Sequence, residues 1–151
     1  MSELPDQIYA AIERLTAEGN DFAALGRFKQ ALACYEEAWV HLPEPRTSWG
    51  AGLWLLVSMG DMQFKLGRYP DARSNLMDAV KYFDEARANP FIQLRLGQTM
   101  LELGEESDAA HWLAGAYLSE GLSLFEEDDP KYVSFIKGKL LPPPDGWPQG
   151  W

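Results

Sequence analysis

The chain has 151 residues, 46% of them hydrophobic and 13% aromatic, which suits one domain with a real core. A mean hydropathy of −0.29 and a longest apolar run of only Leu53 to Val57 argue against a membrane protein. A net charge of −10 and a pI near 4.6 disfavour nucleic acid, whose phosphates need cationic contacts, and favour a basic partner.

The opening MSELPDQIYAAIERL is acidic, with no basic stretch ahead of an apolar one. No signal peptide is read there, and the expected location is the cytoplasm. Ser2 with Pro5 is placed to open a first helix over 4–24, and a second follows over 28–41. Thr47 or Ser48 is positioned to cap a third helix, 48–66, followed by a fourth over 69–86. Asn89-Pro90 pairs a capping side chain with Pro at the first helical position, so a fifth helix is predicted over 90–103 and a sixth over 106–125. Asp129-Pro130 repeats that signal for a seventh, 130–139, whose Tyr132, Val133, Phe135 and Ile136 would cover the edge of the preceding helices. No stretch shows sustained strand alternation. The tail from Pro142 to Trp151 is too rich in Pro to be helical and is expected to be extended or disordered, with Trp147 and Trp151 as apolar anchors.

Small residues recur in phase along this chain. Gly19, Gly60 and Gly97 align; seven residues on stand Gly26, Gly67 and Gly104. Twelve on come Ala31, Ala72 and Ala109, and nineteen on Ala38, Ala79 and Ala116. Glycine inside a helix costs about 1 kcal/mol relative to Ala, a cost tolerated where two helices approach closely. The alanine twelve residues on is the expected opposing small side chain. The second glycine of each copy falls where a helix stops and suits the left-handed conformation. The last alanine packs the second helix against the next repeat.

These positions resemble the tetratricopeptide repeat, a helix–turn–helix family. The copies read G19-N-D-F22, G26-R-F28, A31, Y35, A38, P43; then G60-D, G67-R-Y69, A72, L76, A79; then G97-Q, G104, A109, L113, A116. Gln63 and Met100 replace the aromatic matched by Phe22, and Glu106 the one matched by Phe28 and Tyr69. The copies stand 41 and then 37 residues apart, against the usual ~34, with the extra residues between Pro43 and Trp49 and around Arg87 to Pro90. The resemblance implies an all-α fold, an α-solenoid of three helix–turn–helix repeats at about 8–43, 49–86 and 90–125. A capping helix at 130–139 completes a single domain, 1–141, and the tail is 142–151.

Catalytic and metal-binding patterns are hard to find. Cys34, the only cysteine, falls among Ala31, Leu32, Tyr35 and Ala38 on an apolar face and reads as core. His41 and His111 belong to no H-x-x-x-H or H-E-x-x-H pattern, and no G-x-x-x-x-G-K-[ST] loop occurs. Glu36-Glu37 and Glu105-Glu106 are adjacent in sequence and diverge on a helix, whereas paired acid–base work needs converging carboxyls. No enzyme activity, cofactor or metal is expected.

Two features stand above this background. From Leu96 through Pro130 there is no Lys or Arg, while Glu102, Glu105, Glu106, Asp108, Glu120, Glu126, Glu127, Asp128 and Asp129 fall there. Glu102, Glu105, Asp108, Glu126 and Asp128 form a candidate docking face for a cationic protein; plain surface solubility explains the same pattern. The second feature is a stripe on the odd-numbered helices. Trp54, Val57, Asp61 and Phe64 share one face of the third helix, and Phe91, Leu94, Gln98 and Leu101 one face of the fifth. Glu13, Thr16, Asn20 and Ala23 are their equivalents on the first. With Trp49, the residues Asn20, Trp54, Val57, Asp61, Phe64, Phe91, Leu94 and Gln98 make a candidate groove for a peptide, loop or helix. The alternative is that the seventh helix or the tail folds over it.

Tetratricopeptide proteins that hold chaperone C-termini use a clamp of Lys, Arg and Asn. Asn20 and Arg95 match it here, but Thr16, Ser58 and Phe91 stand where Lys, Asn and Lys belong. The stretches W49-G-A-G-L-W-L-L, N89-P-F-I-Q-L-R-L-G-Q and F125-E-E-D-D-P-K-Y are similar to those of short bacterial tetratricopeptide proteins encoded beside polymorphic toxins of the contact-dependent or Rhs type. That resemblance implies an immunity protein whose partner is a secreted, cationic toxin domain. A generic adaptor or co-chaperone and an unrecognised hydrolase are the other readings.

Overall fold

The computed structural model describes residues 4–140. They form seven α-helices: α1 (Asp6–Ala24), α2 (Phe28–His41), α3 (Gly50–Lys65), α4 (Tyr69–Tyr82), α5 (Pro90–Glu102), α6 (Glu106–Glu120) and α7 (Lys131–Lys139). Three short 3-10 turns lie at Arg46–Ser48, Asp84–Ala86 and Leu122–Phe125, and no strand occurs among the described residues. Among the described residues, those up to Ala86 form one compact unit and those from Arg87 another. Ser2, Trp147 and Trp151 lie outside the described residues.

In the first unit, α1 pairs with α2, α3 with α4, and α2 also packs on α3. In the second, α5 pairs with α6, and α7 rests on α6 and the 3-10 turn before it. Each pair closes through the same turn. Gly26, Gly67 and Gly104 have φ of 74°, 75° and 78°. The amides that follow them, of Arg27, Arg68 and Glu105, donate back to the carbonyls of Phe22, Gln63 and Met100 at 2.9, 2.8 and 2.9 Å. The glycine amides donate to Ala23, Phe64 and Leu101 at 3.0 Å each. These are three Schellman turns, which need a residue free to take positive φ. The carbonyls of Arg27, Arg68 and Glu105 then accept from Ala31, Ala72 and Ala109 and begin the next helix.

Close approach explains the first glycine of each copy, with a change of partner. A Cβ on Gly19 would lie 2.6 Å from Tyr35 Cε1, one on Gly60 2.7 Å from Leu76 Cγ, and one on Gly97 2.5 Å from Leu113 Cγ. The opposing residue is thus a large side chain sixteen positions on, not the alanine twelve on. The alanines Ala31, Ala72, Ala109, Ala38, Ala79 and Ala116 are fully buried.

Helix ends differ from expectation in three places. Ser48 does not cap α3: its hydroxyl donates to the Pro45 carbonyl at 2.7 Å, and Trp49 is the N-cap without a side-chain bond. The predicted helix 69–86 stops at Tyr82, where Phe83 turns extended (φ −130°, ψ 112°). The predicted 106–125 stops at Glu120, because Gly121 takes φ 76°. Asn89 caps α5 as expected, accepting from the Ile92 amide at 3.1 Å, and Asp129 accepts from the Lys131 amide at 2.9 Å. The residues inserted after Pro43 are pinned: the Arg46 guanidinium donates to the Trp39 carbonyl at 3.0 Å and the Trp49 indole to the Pro43 carbonyl at 2.9 Å.

Candidate protein-binding site

Within the first unit, α1 and α3 border a shallow trough. One end is lined by Leu4, Asp6, Tyr9 and Ala51, and the next stretch by Ile12, Thr16, Ala51, Trp54, Leu55 and Ser58. The exposed aromatics in its lining are Tyr9, 55% exposed, and Trp54, 53% exposed. Thr16 and Ser58 line the stretch that holds Trp54, and Ala51 is shared with the stretch that holds Tyr9. On a helix that turns about 100° per residue, Ala51, Trp54, Ser58 and Asp61 lie on one strip, and so do Asp6, Tyr9, Glu13, Thr16 and Asn20.

Asn20 is exposed on this strip, and its Oδ1 accepts from the Tyr35 hydroxyl at 2.6 Å. Burial first, then the Asp61 carboxylate, pushes the Tyr35 phenol above its ordinary pKa. Asp61 is mostly buried and lies 3.8 Å from the Lys65 ammonium. Phe64 is half-buried and stacks at a tilt on Tyr69, with centroids 5.7 Å apart.

Val57 is a correction. It is 4% exposed and belongs to the core. It stands about 60° to one side of Trp54, while Ser58 stands about 40° to the other; the open strip runs 54–58–61, not 54–57–61. Trp49 is half-buried and holds the loop before α3. Tyr9, Ala51 and Asp6 escaped sequence reasoning, although extending the α1 strip backwards from Thr16 by about one, two and three turns reaches Glu13, Tyr9 and Asp6.

The equivalent strip on α5 is closed. Leu94 is 2% and Gln98 0% exposed, so neither lines an open groove as expected. Arg95, 6% exposed, donates to Gln98 Oε1 at 2.6 Å, lies 5.1 Å from the Phe91 ring centroid and reaches Asp128 at 3.6 Å. Phe91 is half-buried beneath it. The segment leading into α7 thus contributes the carboxylate that meets this strip.

The expected acidic face is partly neutralised. Glu102 bonds the Lys131 ammonium and accepts from the Tyr132 hydroxyl at 2.8 Å. Burial raises its pKa, but those two hydrogen bonds outweigh it and leave the carboxyl below its ordinary range. Asp128 pairs with Arg95. The two cations that bound the Lys/Arg-free stretch therefore fold back onto it. Glu105 is half-buried at the N-cap of α6. Asp108 and Glu126 are exposed, as are Glu106, Glu120, Glu127 and Asp129. Glu106 and Asp108 sit in the first turn of α6, where negative charge complements the helix dipole. No group of three or more His, Cys, Asp or Glu among the described residues is placed to hold a metal ion. No helix among them is long and apolar enough to cross a membrane.

Chains of known structure share this succession of helical hairpins. The second TPR domain of human RPAP3, solved with the HSP70 peptide SGPTIEEVD, superposes with a TM-score of 0.63 at 17% identity, over 87% of this chain and 96% of that one. The fold is that of tetratricopeptide repeats. The Arabidopsis OM64 TPR domain gives a TM-score of 0.66 at 15% identity, over 88% and 99% of the two chains. The first TPR of Spaghetti (RPAP3), bound to the HSP90 peptide SRMEEVD, gives 0.62 at 16% identity, over 85% and 92%. No family model and no curated protein matches the sequence.

Proposed function

We propose that this tetratricopeptide fold is a protein-binding scaffold without catalytic activity, and that it acts as an immunity protein that neutralises a cognate toxin domain by direct binding. The observation that carries the binding reading is Trp54, half in solvent within the α1–α3 trough, whose lining there is Ile12, Thr16, Ala51, Leu55 and Ser58. Large rigid aromatics in such surroundings are the usual energetic centres of interfaces. The finer reading draws on the likeness of the 49–56, 89–98 and 125–132 stretches to toxin-linked immunity proteins, and on the charge of −10.

A generic adaptor is the second reading, favoured by the similar folds that were solved with HSP70 and HSP90 peptides. Those peptides end in Glu-Glu-Val-Asp, and this chain is poorly equipped for them. Arg95 is buried against Gln98 and Asp128, Asn20 is engaged by Tyr35, and Thr16 and Ser58 carry no charge. An adaptor of this kind would take clients of another chemistry.

The test is genetic and biochemical together. Deleting the gene in its native host should arrest growth, deleting the neighbouring toxin gene as well should relieve the arrest, and Trp54→Ala should fail to complement. No growth defect with normal client binding would favour the adaptor. Full complementation by Trp54→Ala would remove the trough from the binding surface.

A further inference from the structure

The α1–α3 trough has a chemical bias beyond its shape. Among the described residues, its two lined stretches contain no lysine or arginine. Tyr9 and Trp54 offer exposed aromatic surface on the two stretches that share Ala51. Asp6 and Glu13 are exposed along the same strip of α1, and Asp61 follows at the far end of the α3 strip. Lys65, the cation that ends the α3 strip, is already engaged: its ammonium lies 3.8 Å from Asp61 and 5.1 Å from the Phe28 ring centroid.

Aromatic rings attract cations through their quadrupole, and carboxylates attract them through charge. Arginine and lysine add a long apolar stem that covers ring surface while the charged head stays solvated. We infer that the trough takes a segment of a partner protein that lays an arginine or lysine side chain across Tyr9 and Trp54, with its charge towards Asp6 and Glu13. This rests on the reading of the trough as the binding site. An acidic segment is rejected by the same arrangement, because each carboxylate it brings meets Asp6 and Glu13 with no lysine or arginine in the lining to receive it. A segment with apolar side chains alone leaves the flanking carboxylates unanswered. The neutral hydroxyls of Thr16 and Ser58 lie within the lining and suit backbone groups of an extended or helical segment.

A random dodecapeptide library displayed on phage, selected on the immobilised full chain and counter-selected on Trp54→Ala and separately on Tyr9→Ala, decides the matter. Both side chains are more than half exposed, so both variants should fold, which circular dichroism checks. The expected outcome is enrichment of clones that carry Arg or Lys and need both aromatics. A synthetic peptide of the leading clone should lose about 30-fold in affinity on Trp54→Ala, about 2 kcal/mol at 1.4 kcal/mol per tenfold. It should lose about 10-fold on Asp6→Lys with Glu13→Lys, with a weaker salt dependence. Enriched clones that need the aromatics but are acidic or lack cations would overturn the cation preference and leave the trough as a site. An absence of clones that depend on either aromatic would overturn both.

Discussion

Gly97→Ala would set a methyl carbon 2.5 Å from Leu113 Cγ, 2.8 Å from its Cδ2 and 3.0 Å from its backbone nitrogen. Carbon atoms pack best at about 3.5–4.0 Å, so roughly 1 Å of relief is needed. Leu113 is fully buried and has no solvent to swing into, and the nitrogen belongs to the α6 backbone, so the helix itself must shift. Overpacking of this kind costs about 1–3 kcal/mol, and the immovable backbone points to the upper end. Alanine returns about 1 kcal/mol of helix propensity over glycine, leaving a net loss of about 2 kcal/mol. Leu113→Ala alone should cost about 2–5 kcal/mol as a buried truncation. In that background the Cγ and Cδ2 contacts are gone and only the 3.0 Å approach to the backbone nitrogen remains, so Gly97→Ala should cost clearly less than it does beside Leu113, about 1 kcal/mol or less. Urea unfolding of the four proteins by far-UV circular dichroism gives the cycle directly. Equal effects of Gly97→Ala with and without Leu113 would refute the close approach as the reason for glycine there.

Gly60→Ala meets side-chain atoms of Leu76 at 2.7, 3.0 and 3.4 Å with no backbone atom among the nearest three, and should cost less than Gly97→Ala in the same urea assay. Trp54→Ala should lower stability by no more than about 2 kcal/mol, because the residue is 53% exposed; a loss of about 3–5 kcal/mol, that of a buried aromatic, would make Trp54 core. The Glu102 carboxyl has a folded pKa below its ordinary 4.5, so its contribution is complete above about that pH and fades as pH falls through the lower folded value. Glu102→Gln should therefore cost about 1 kcal/mol at pH 7 and the difference from wild type should vanish in acid melts. Burial, with Glu18 and Glu37 adding to it, pushes the Cys34 thiol up; its alkylation by iodoacetamide at pH 8 should be slower than that of a free cysteine, and an equal rate would contradict that environment.

The hairpins were legible because their signals are local. A glycine at a helix end and an alanine five residues on in the next helix mark the Schellman turn and the start of its partner, and Gly26, Gly67 and Gly104 behave alike. The glycine–large side chain contact was half legible: the close approach followed from Gly19, Gly60 and Gly97, but the opposing residue depends on the crossing of two helices, which the spacing of small residues does not express. The open strip was less legible still. Trp54 and Asp61 belong to it, yet Val57 is core, because α3 has nine buried residues and offers solvent only a narrow strip. On α5 the expected groove residues Leu94 and Gln98 are buried, and Arg95 is tied to Asp128. That pairing spans thirty-three positions and leaves no periodic trace. The partial neutralisation of the acidic stretch was hidden for the same reason: Arg95 and Lys131 sit just outside it in sequence and against Asp128 and Glu102 in space.

Recognition of a partner through the α1–α3 trough is tested most directly by photocross-linking in the native host. A benzophenone amino acid placed at Ser58 in the trough, at exposed Glu36 on α2, or at exposed Asp108 on the acidic surface should capture the partner from position 58 and not from the other two. Capture from position 36 or 108 with none from 58 would contradict a trough-centred interface.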